Sequence, residues 1–313
     1  MKARVLAIPG VAEWPVMVEM IERATHQEWR SLWDYPFIAC RAVGAGDEAA
    51  IPGAAAVFCS LASIHLVDDM LDEDDRGQYR IYGAGPTANL ALGFQALAHR
   101  VLDAVEDRDV RAALQANVAR MAFGTAFGQN LDATWEVRDE EGYWRVVEAK
   151  TPPLFGSAFF LGALLGGAPR SLAEDLERVG EQIGRFIQVS DDLADALKAP
   201  AGADWRRRFN NLALLYALQA DHPERETFAE LIERVEEPEV LAEAHQVLVR
   251  SGALSYCVLR LIEASREARA QLARLSLPDP EPILRLMDLQ LKPLERLFRS
   301  AGVEAPAELV RGG

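Results

Sequence analysis

Two short stretches of this chain carry the same acidic spacing inside otherwise apolar helical sequence. His65-Leu66-Val67-Asp68-Asp69-Met70-Leu71-Asp72 and Gln188-Val189-Ser190-Asp191-Asp192-Leu193-Ala194-Asp195 each place carboxylates at i, i+1 and i+4. At about 3.6 residues per turn, the first and last share a helix face and the middle one leans beside them. Neighbouring carboxylates repel one another and weaken a bare helix, so a single copy reads as a solvated face. Two copies flanked by apolar residues ask for more. Both stretches must be helical, and a hard divalent cation is the natural neutraliser. The expected ligands are Asp68, Asp69, Asp72, Asp191, Asp192 and Asp195.

The surrounding sequence supplies helices to carry them. Apolar residues recur at three- and four-residue steps, as in Leu172, Leu176, Val179, Ile183, Phe186 and Ile187. Strand signals are nearly absent. Breaks fall at Gly44 to Asp47, Gly83 to Pro86, Asp139 to Gly142, Gly166 to Pro169, Pro200 to Asp204, Asp221 to Pro223, Pro238 and Pro278 to Pro282. Between them lie about eight to eleven helices, several longer than the usual three turns. No linker divides the chain and no fixed-period repeat appears. The expected fold is all-α, one large helical bundle spanning residues 1–313 as a single domain, in which facing helices bring both acidic clusters to one cavity.

Composition excludes some partners. A formal net charge of -15 argues against nucleic acid and anionic membranes, which would be repelled. Cys40, Cys59 and Cys257 are odd in number and widely spaced in apolar contexts, which points to free buried thiols of a reducing cytoplasm. Pro9, Glu13 and Pro15 interrupt what would have to be the apolar core of a signal peptide. The uncharged stretch from Thr151 to Pro169 opens on Pro152-Pro153 and holds Gly156, Gly162, Gly166 and Gly167. It falls short of the ~20 apolar residues that span a bilayer, so a buried core helix with close neighbours is expected and stable membrane insertion is not.

Competing chemistries lack their residues. There is no Glu-x-x-His pair, no Gly-Lys-Ser/Thr phosphate loop and no Gly-x-Ser-x-Gly elbow. Gly44-x-Gly46-x-x-Ala49 only imitates a dinucleotide fingerprint, because Asp47 would face the pyrophosphate and Pro52 should break the following helix. Basic residues follow the acidic clusters instead: Arg76 after the first, Lys198 after the second, and Lys150 at the start of the uncharged stretch. Carboxylate-bound cations capped by Lys and Arg suit a diphosphate leaving group, whose charge must be neutralised as its carbon–oxygen bond breaks.

With these residues in place, the chain resembles the trans-isoprenyl diphosphate synthases, or polyprenyl synthetases. The resemblance runs from about Trp29 to Leu215 through Asp68-Asp69-x-x-Asp72, Arg76-Gly77, Gly128-Gln129-x-x-Asp132, Lys150-Thr151-x-x-Leu154-Phe155, Gln188-x-x-Asp191-Asp192-x-x-Asp195 and Lys198-x-x-x-Gly202-x-Asp204. It implies an isoprenoid synthase-type bundle around a central active-site cavity, assembled as a homodimer. It implies that the six Asp hold Mg2+, that Arg76, Lys150 and Lys198 bind an allylic prenyl diphosphate, and that Gln129 joins that substrate site. Thr151 and Gln188 would line the reacting carbons as catalytic residues with Lys150 and Lys198, and Ser63 and Ile64 would floor the prenyl-tail pocket.

The departures concern the second substrate. Where the family has Gly-Lys-x-x-Arg-Pro, this chain reads Ser31-Leu32-Trp33-Asp34-Tyr35-Pro36, and the His seven residues before the first Asp is Leu61. Asp75 stands for the first Arg of the Arg-Arg-Gly pair, and Arg208-Phe209-Asn210-Asn211 replaces Gly-Lys-x-Thr. A diphosphate without cationic donors binds poorly. The expected enzyme therefore ionises an allylic diphosphate and ends in cyclisation, water capture or transfer to an unusual acceptor, with Trp33 and Tyr35 either facing the cation or filling the core. One alternative is an ordinary chain-elongating synthase in which Arg30, Arg41 or another base rebuilds the isopentenyl diphosphate site. Another is a non-catalytic regulatory subunit, against which the six retained carboxylates speak.

Overall fold

The structure is a computed structural model that describes residues 1–25, 32–134, 137–207 and 210–300, the side chains of 206–207 and 293–300 excepted. Among the described residues there are sixteen α-helices, short 3-10 turns and no strand. The helices are α1 (Lys2–Leu6), α2 (Pro15–Thr25), α3 (Tyr35–Ala42), α4 (Asp47–Leu71), α5 (Tyr79–Tyr82), α6 (Ala84–Arg100), α7 (Arg108–Thr134) and α8 (Glu140–Lys150). They continue as α9 (Pro152–Leu165), α10 (Arg170–Ala196), α11 (Ala203–Arg207), α12 (Leu212–Gln219), α13 (Arg225–Leu231), α14 (Pro238–Arg250), α15 (Ala253–Ala273) and α16 (Glu281–Ser300). The expected all-α class holds. The helix number exceeds the expectation because α1, α3, α5, α11, α12 and α13 are pieces of about one or two turns, too short to show a periodic pattern.

The uncharged stretch forms α9, the axis of the bundle. Pro152 and Pro153 start it, since proline's missing N–H costs nothing in a first turn, and nearly all of its side chains are buried. It packs on α10, α3, α4 and α7. Its glycines admit this crowding: a Cβ added at Gly162 would lie 2.1 Å from the Pro36 carbonyl oxygen of α3. Each large side chain buried there contributes about 1.5–3 kcal/mol of transfer free energy.

Two apolar clusters meet near the acidic motifs. One gathers Phe58, Phe94, Phe159 and Leu161 with the first half of α10, and the other gathers Tyr143, Phe186, Leu193 and Leu214. Ile187 packs against both. The second half of α10 thus runs along the seam between two cores, where side chains lose water without being fully enclosed.

Two expectations need adjusting. Pro52 does not break a helix; it sits inside α4, which continues through it at the loss of one i→i−4 hydrogen bond. Among the described residues one helix, α4, is long and apolar enough to cross a membrane by length and composition, which the sequence reading does not single out, and most of its apolar window is buried inside the bundle; α9 falls short, as expected. All three cysteines are buried and free, as expected.

Candidate active site

Close backbone packing builds the first wall. Gly128 on α7 faces the end of α8 so closely that an added Cβ would stand 2.4 Å from the Ala149 carbonyl carbon and the Lys150 nitrogen. That approach sets Gln129 and Asp132, one turn further along α7, beside the Lys150 side chain. Lys150 Nζ lies 2.7 Å from Asp132 Oδ2 and 3.5 Å from Asp68 Oδ1. Burial pulls the Lys150 pKa down, yet the carboxylates of Asp132 and Asp68 outweigh it and leave the ammonium above its ordinary value. Gln129 Nε2 donates to Asp68, while its Oε1 is buried with no protein partner.

The junction of α8 and α9 places Thr151 next in line. Its hydroxyl donates to Gln188 Oε1 at 2.6 Å, and Gln188 Nε2 donates to Asp192 Oδ1 at 2.9 Å. Gln188 and the second acidic cluster both lie on α10, opposite the α4 cluster.

Between these walls is a cavity of about 470 Å³. Asp68, Asp72, Asp132, Asp191, Asp192, Asp195 and Asp204 form its acidic part, and apolar side chains such as Leu32, Leu61, Ile64, Leu154, Phe155 and Ile187 its apolar part. Lys150, Thr151, Gln129 and Gln188 stand between the two parts of the lining as predicted. Burial, with Asp195 adding repulsion, pushes the Asp191 carboxyl up to about 6. A cation placed beside it would favour the charged form and oppose that rise.

The six aspartates are not equivalent. Asp72 is the C-cap of α4 rather than a residue within it, and Asp69 faces a neighbouring pocket of about 320 Å³ with Trp33, His65 and Gln78. Burial and nearby Asp74 raise the Asp69 pKa. Asp192 is 2% exposed, and both of its oxygens accept hydrogen bonds. Among the described residues no three ligating side chains converge into a closed metal cage. Carboxylates from two walls fit Mg2+ in its usual manner, one or two protein carboxylates completed by substrate phosphate oxygens.

Other predicted residues stand at the rim. Arg76 is 90% exposed along its side chain and pairs with Asp74 at 2.7 Å, although its charge still reaches Asp69 and Asp195. Lys198 pairs with Asp195 and is 65% exposed, outside the cavity lining. Ser63 is buried away from the cavity, because residues 61, 64, 65, 68 and 72 form the cavity face of α4; Ile64 lies on that face.

The aromatic candidates fill the core. Trp33 packs edge-on against Phe58 at 5.3 Å, and Tyr35, 5% exposed, packs against Phe155 and Phe159. Tyr35 Oη accepts from Gln290 Nε2 at 3.0 Å, which fastens α16 to α3. Neither aromatic lines the cavity. Arg41 is bound to Asp47 at 2.6 Å on an exposed face and lines a separate hollow, so it does not rebuild an acceptor site; Arg30, Arg208 and Phe209 lie outside the described residues.

Several cavity residues were given no role by the sequence, although Asp132 and Asp204 belong to the matched motifs. Asp132 anchors Lys150 and accepts from Asn210 Nδ2 at 2.8 Å; its place one turn after Gln129 was the available signal. Asp204 accepts from Asn211 Nδ2 at 2.8 Å, and Tyr143 donates to Asp192 at 2.7 Å. Nothing in local spacing marks Tyr143 or Asn211, because their partners lie in other helices.

Comparison with known proteins agrees with this architecture. The chain is 33% identical over 167 residues to the (2E,6E)-farnesyl diphosphate synthase of Mycobacterium tuberculosis, a match covering 50% of this chain and 46% of that protein. The match thus spans about half the length of that relative. It is 28% identical over 259 residues to the short chain isoprenyl diphosphate synthase of Methanothermobacter thermautotrophicus, covering 77% and 78% of the two chains. In three dimensions it is similar to the geranylgeranyl pyrophosphate synthetase of Pyrococcus horikoshii, with a TM-score of 0.79 at 18% identity over 95% of this chain and 93% of that one. That likeness establishes the isoprenyl synthase fold. Residues 36–248, well over half of the sequence, match the model of the polyprenyl synthetase family, and this chain belongs to that family.

Proposed function

We propose that this protein is a prenyl diphosphate synthase, a transferase that ionises an allylic prenyl diphosphate and joins the resulting cation to isopentenyl diphosphate. The observation that carries this reading is a single cavity in which carboxylates of α4 and α10 face each other beside Lys150, above walls of Ile64, Leu154, Phe155 and Ile187. The apolar walls take the prenyl tail and the acidic part takes the diphosphate with its cations. Asp68, Asp72, Asp191 and Asp195 would hold Mg2+, which supplies neutralisation of the leaving charge. Lys150 adds a fixed ammonium directed at the same group. Thr151 and Gln188 present oxygens where the positive carbon develops. The C1–O bond breaks, the acceptor's double bond forms the new carbon–carbon bond, and one proton leaves the adduct.

Elongation takes precedence over the cyclisation or water capture expected from the sequence, because the relatives are named as farnesyl, geranylgeranyl and other isoprenyl diphosphate synthases. A specific observation supports the second reading all the same. Leu32 and Leu61 line the cavity at positions where the resemblance calls for a Lys and a His, and the Tyr35 hydroxyl is engaged by Gln290. Losing two or three charge-assisted contacts, each about 1.5–3 kcal/mol, would weaken isopentenyl diphosphate binding by orders of magnitude.

Product analysis decides between them. The purified protein is incubated with Mg2+ and geranyl, farnesyl or geranylgeranyl diphosphate, with and without isopentenyl diphosphate. Elongated diphosphates formed only with the acceptor support the proposal. Diphosphate release without the acceptor, giving a hydrocarbon or alcohol, supports the second reading. No release under any condition would sink both and leave the regulatory subunit.

A further inference from the structure

The second acidic cluster hides one member that the ionisation chemistry does not use. Asp192 Oδ2 accepts from the Tyr143 hydroxyl at 2.7 Å and from the Leu212 backbone N–H at 2.8 Å; its Oδ1 accepts from Gln188 Nε2 at 2.9 Å. Tyr143 is 1% exposed and Asp192 2%. The backbone carbonyl of Asp192 also accepts from Asn211 Nδ2 at 2.7 Å, and Asn211 caps the first turn of α12 while holding Asp204. The carboxylate is thus clamped from α8, α10 and the start of α12, with its lone pairs turned into protein.

That clamp has a consequence for Gln188. With Oδ2 taken by Tyr143 and Leu212, it is Oδ1 that meets the Gln188 amide, and it receives the NH2 end. The carbonyl end is then forced toward Thr151 and the cavity, where Thr151 Oγ1 donates to it at 2.6 Å. A reversed amide would set its positive end where a positive carbon develops. The choice between the two orientations is made at the Asp192 end of the Gln188 amide, by a carboxylate whose oxygens are engaged by protein groups.

We propose that Tyr143 and Asp192 are positioning residues: the Tyr143 hydroxyl holds Asp192, and Asp192 fixes the Gln188 amide with its oxygen toward the reacting carbons, so that Asp192 serves as an orienting group and not as a ligand to Mg2+. This rests on the cationic chemistry proposed above. It separates two adjacent aspartates lining one cavity into different tasks, Asp192 being the one whose two oxygens are held by Tyr143, Leu212 and Gln188.

The test uses Tyr143→Phe, which removes one hydroxyl, together with Asp192→Asn and Asp191→Asn. Tyr143→Phe should lower kcat for diphosphate release about tenfold, the scale of a misoriented catalytic group. KM for the allylic substrate and the Mg2+ concentration for half-maximal rate should stay within about twofold of wild type. Thermal shift with Mg2+ and inorganic diphosphate gives a readout independent of turnover. Tyr143→Phe and Asp192→Asn should retain the wild-type shift, and Asp191→Asn should lose it. Wild-type kcat in Tyr143→Phe, or a raised Mg2+ requirement in it, would overturn the proposal, as would loss of the shift in a folded Asp192→Asn. If the wild type releases no diphosphate at all, the functional reading fails; the thermal-shift arm still reports whether Asp192 is a ligand.

Discussion

The Lys150 ammonium stands 2.7 Å from Asp132, closer than to Asp68 at 3.5 Å, so the cation of the cavity is anchored on α7 while it reaches toward the α4 cluster. Such an anchor keeps a charged side chain from collapsing wholly onto the Asp68 carboxylate. Lys150→Ala should therefore cost one charge-assisted contact to the substrate diphosphate, about 1.5–3 kcal/mol, or on the order of ten- to a hundredfold in kcat/KM. Steady-state kinetics with the best allylic substrate measures it. A variant with unchanged kcat/KM would remove Lys150 from the substrate site.

Metal binding is checked by melting temperature. A ligand that binds only the folded state stabilises by mass action, so Mg2+ with inorganic diphosphate should raise Tm, and a chelator should reverse the gain. Asp68→Ala on α4 and Asp191→Ala on α10 should each abolish it. Equal shifts in wild type and in both variants would dismiss the two-walled cation site.

The apolar face of α6 and α7 carries Leu92, Phe123 and Phe127, exposed by 69%, 77% and 46%. Large side chains grouped on two neighbouring helices are costly in water, and a two-fold contact would cover them on both copies. Light scattering at micromolar protein should give about twice the 34.5 kDa of one chain, and Phe123→Asp should shift the mass toward one. A monomeric wild type contradicts this.

Gly128 tests whether close packing is what places Lys150. An added methyl group would strike the Ala149–Lys150 backbone, which cannot yield as a side chain end would. Gly128→Ala should destabilise the fold by about 1–3 kcal/mol and weaken turnover as α8 is pushed from α7. Denaturant unfolding beside kinetics reads both effects. Wild-type stability and rate in the variant would show that the gap closes without cost.

Helical class, the buried α9 and the two acidic clusters were legible in the sequence because each is a local property. Periodicity of three and four reports a helix face, and Asp at i, i+1 and i+4 reports a concentration of charge on it. The resemblance to polyprenyl synthetases rested on ordered motifs, which is also sequence information. What each carboxylate does was decided elsewhere. Asp68 and Asp192 occupy the first and second places of motifs of identical form and line one cavity, yet Asp68 stays part-exposed beside Lys150 while Asp192 is buried with its oxygens bound by Tyr143, Gln188 and Leu212. Spacing along one helix cannot say which neighbour will cover a side chain. Burial and pairing come from contacts across many positions, 49 in sequence for Tyr143 with Asp192 and 78 for Asn210 with Asp132. For the same reason Arg76 and Lys198, basic and close to the clusters in sequence, stand at the rim on their local partners Asp74 and Asp195, whereas Asp132 and Asn210, to which the motifs gave no task, line the cavity.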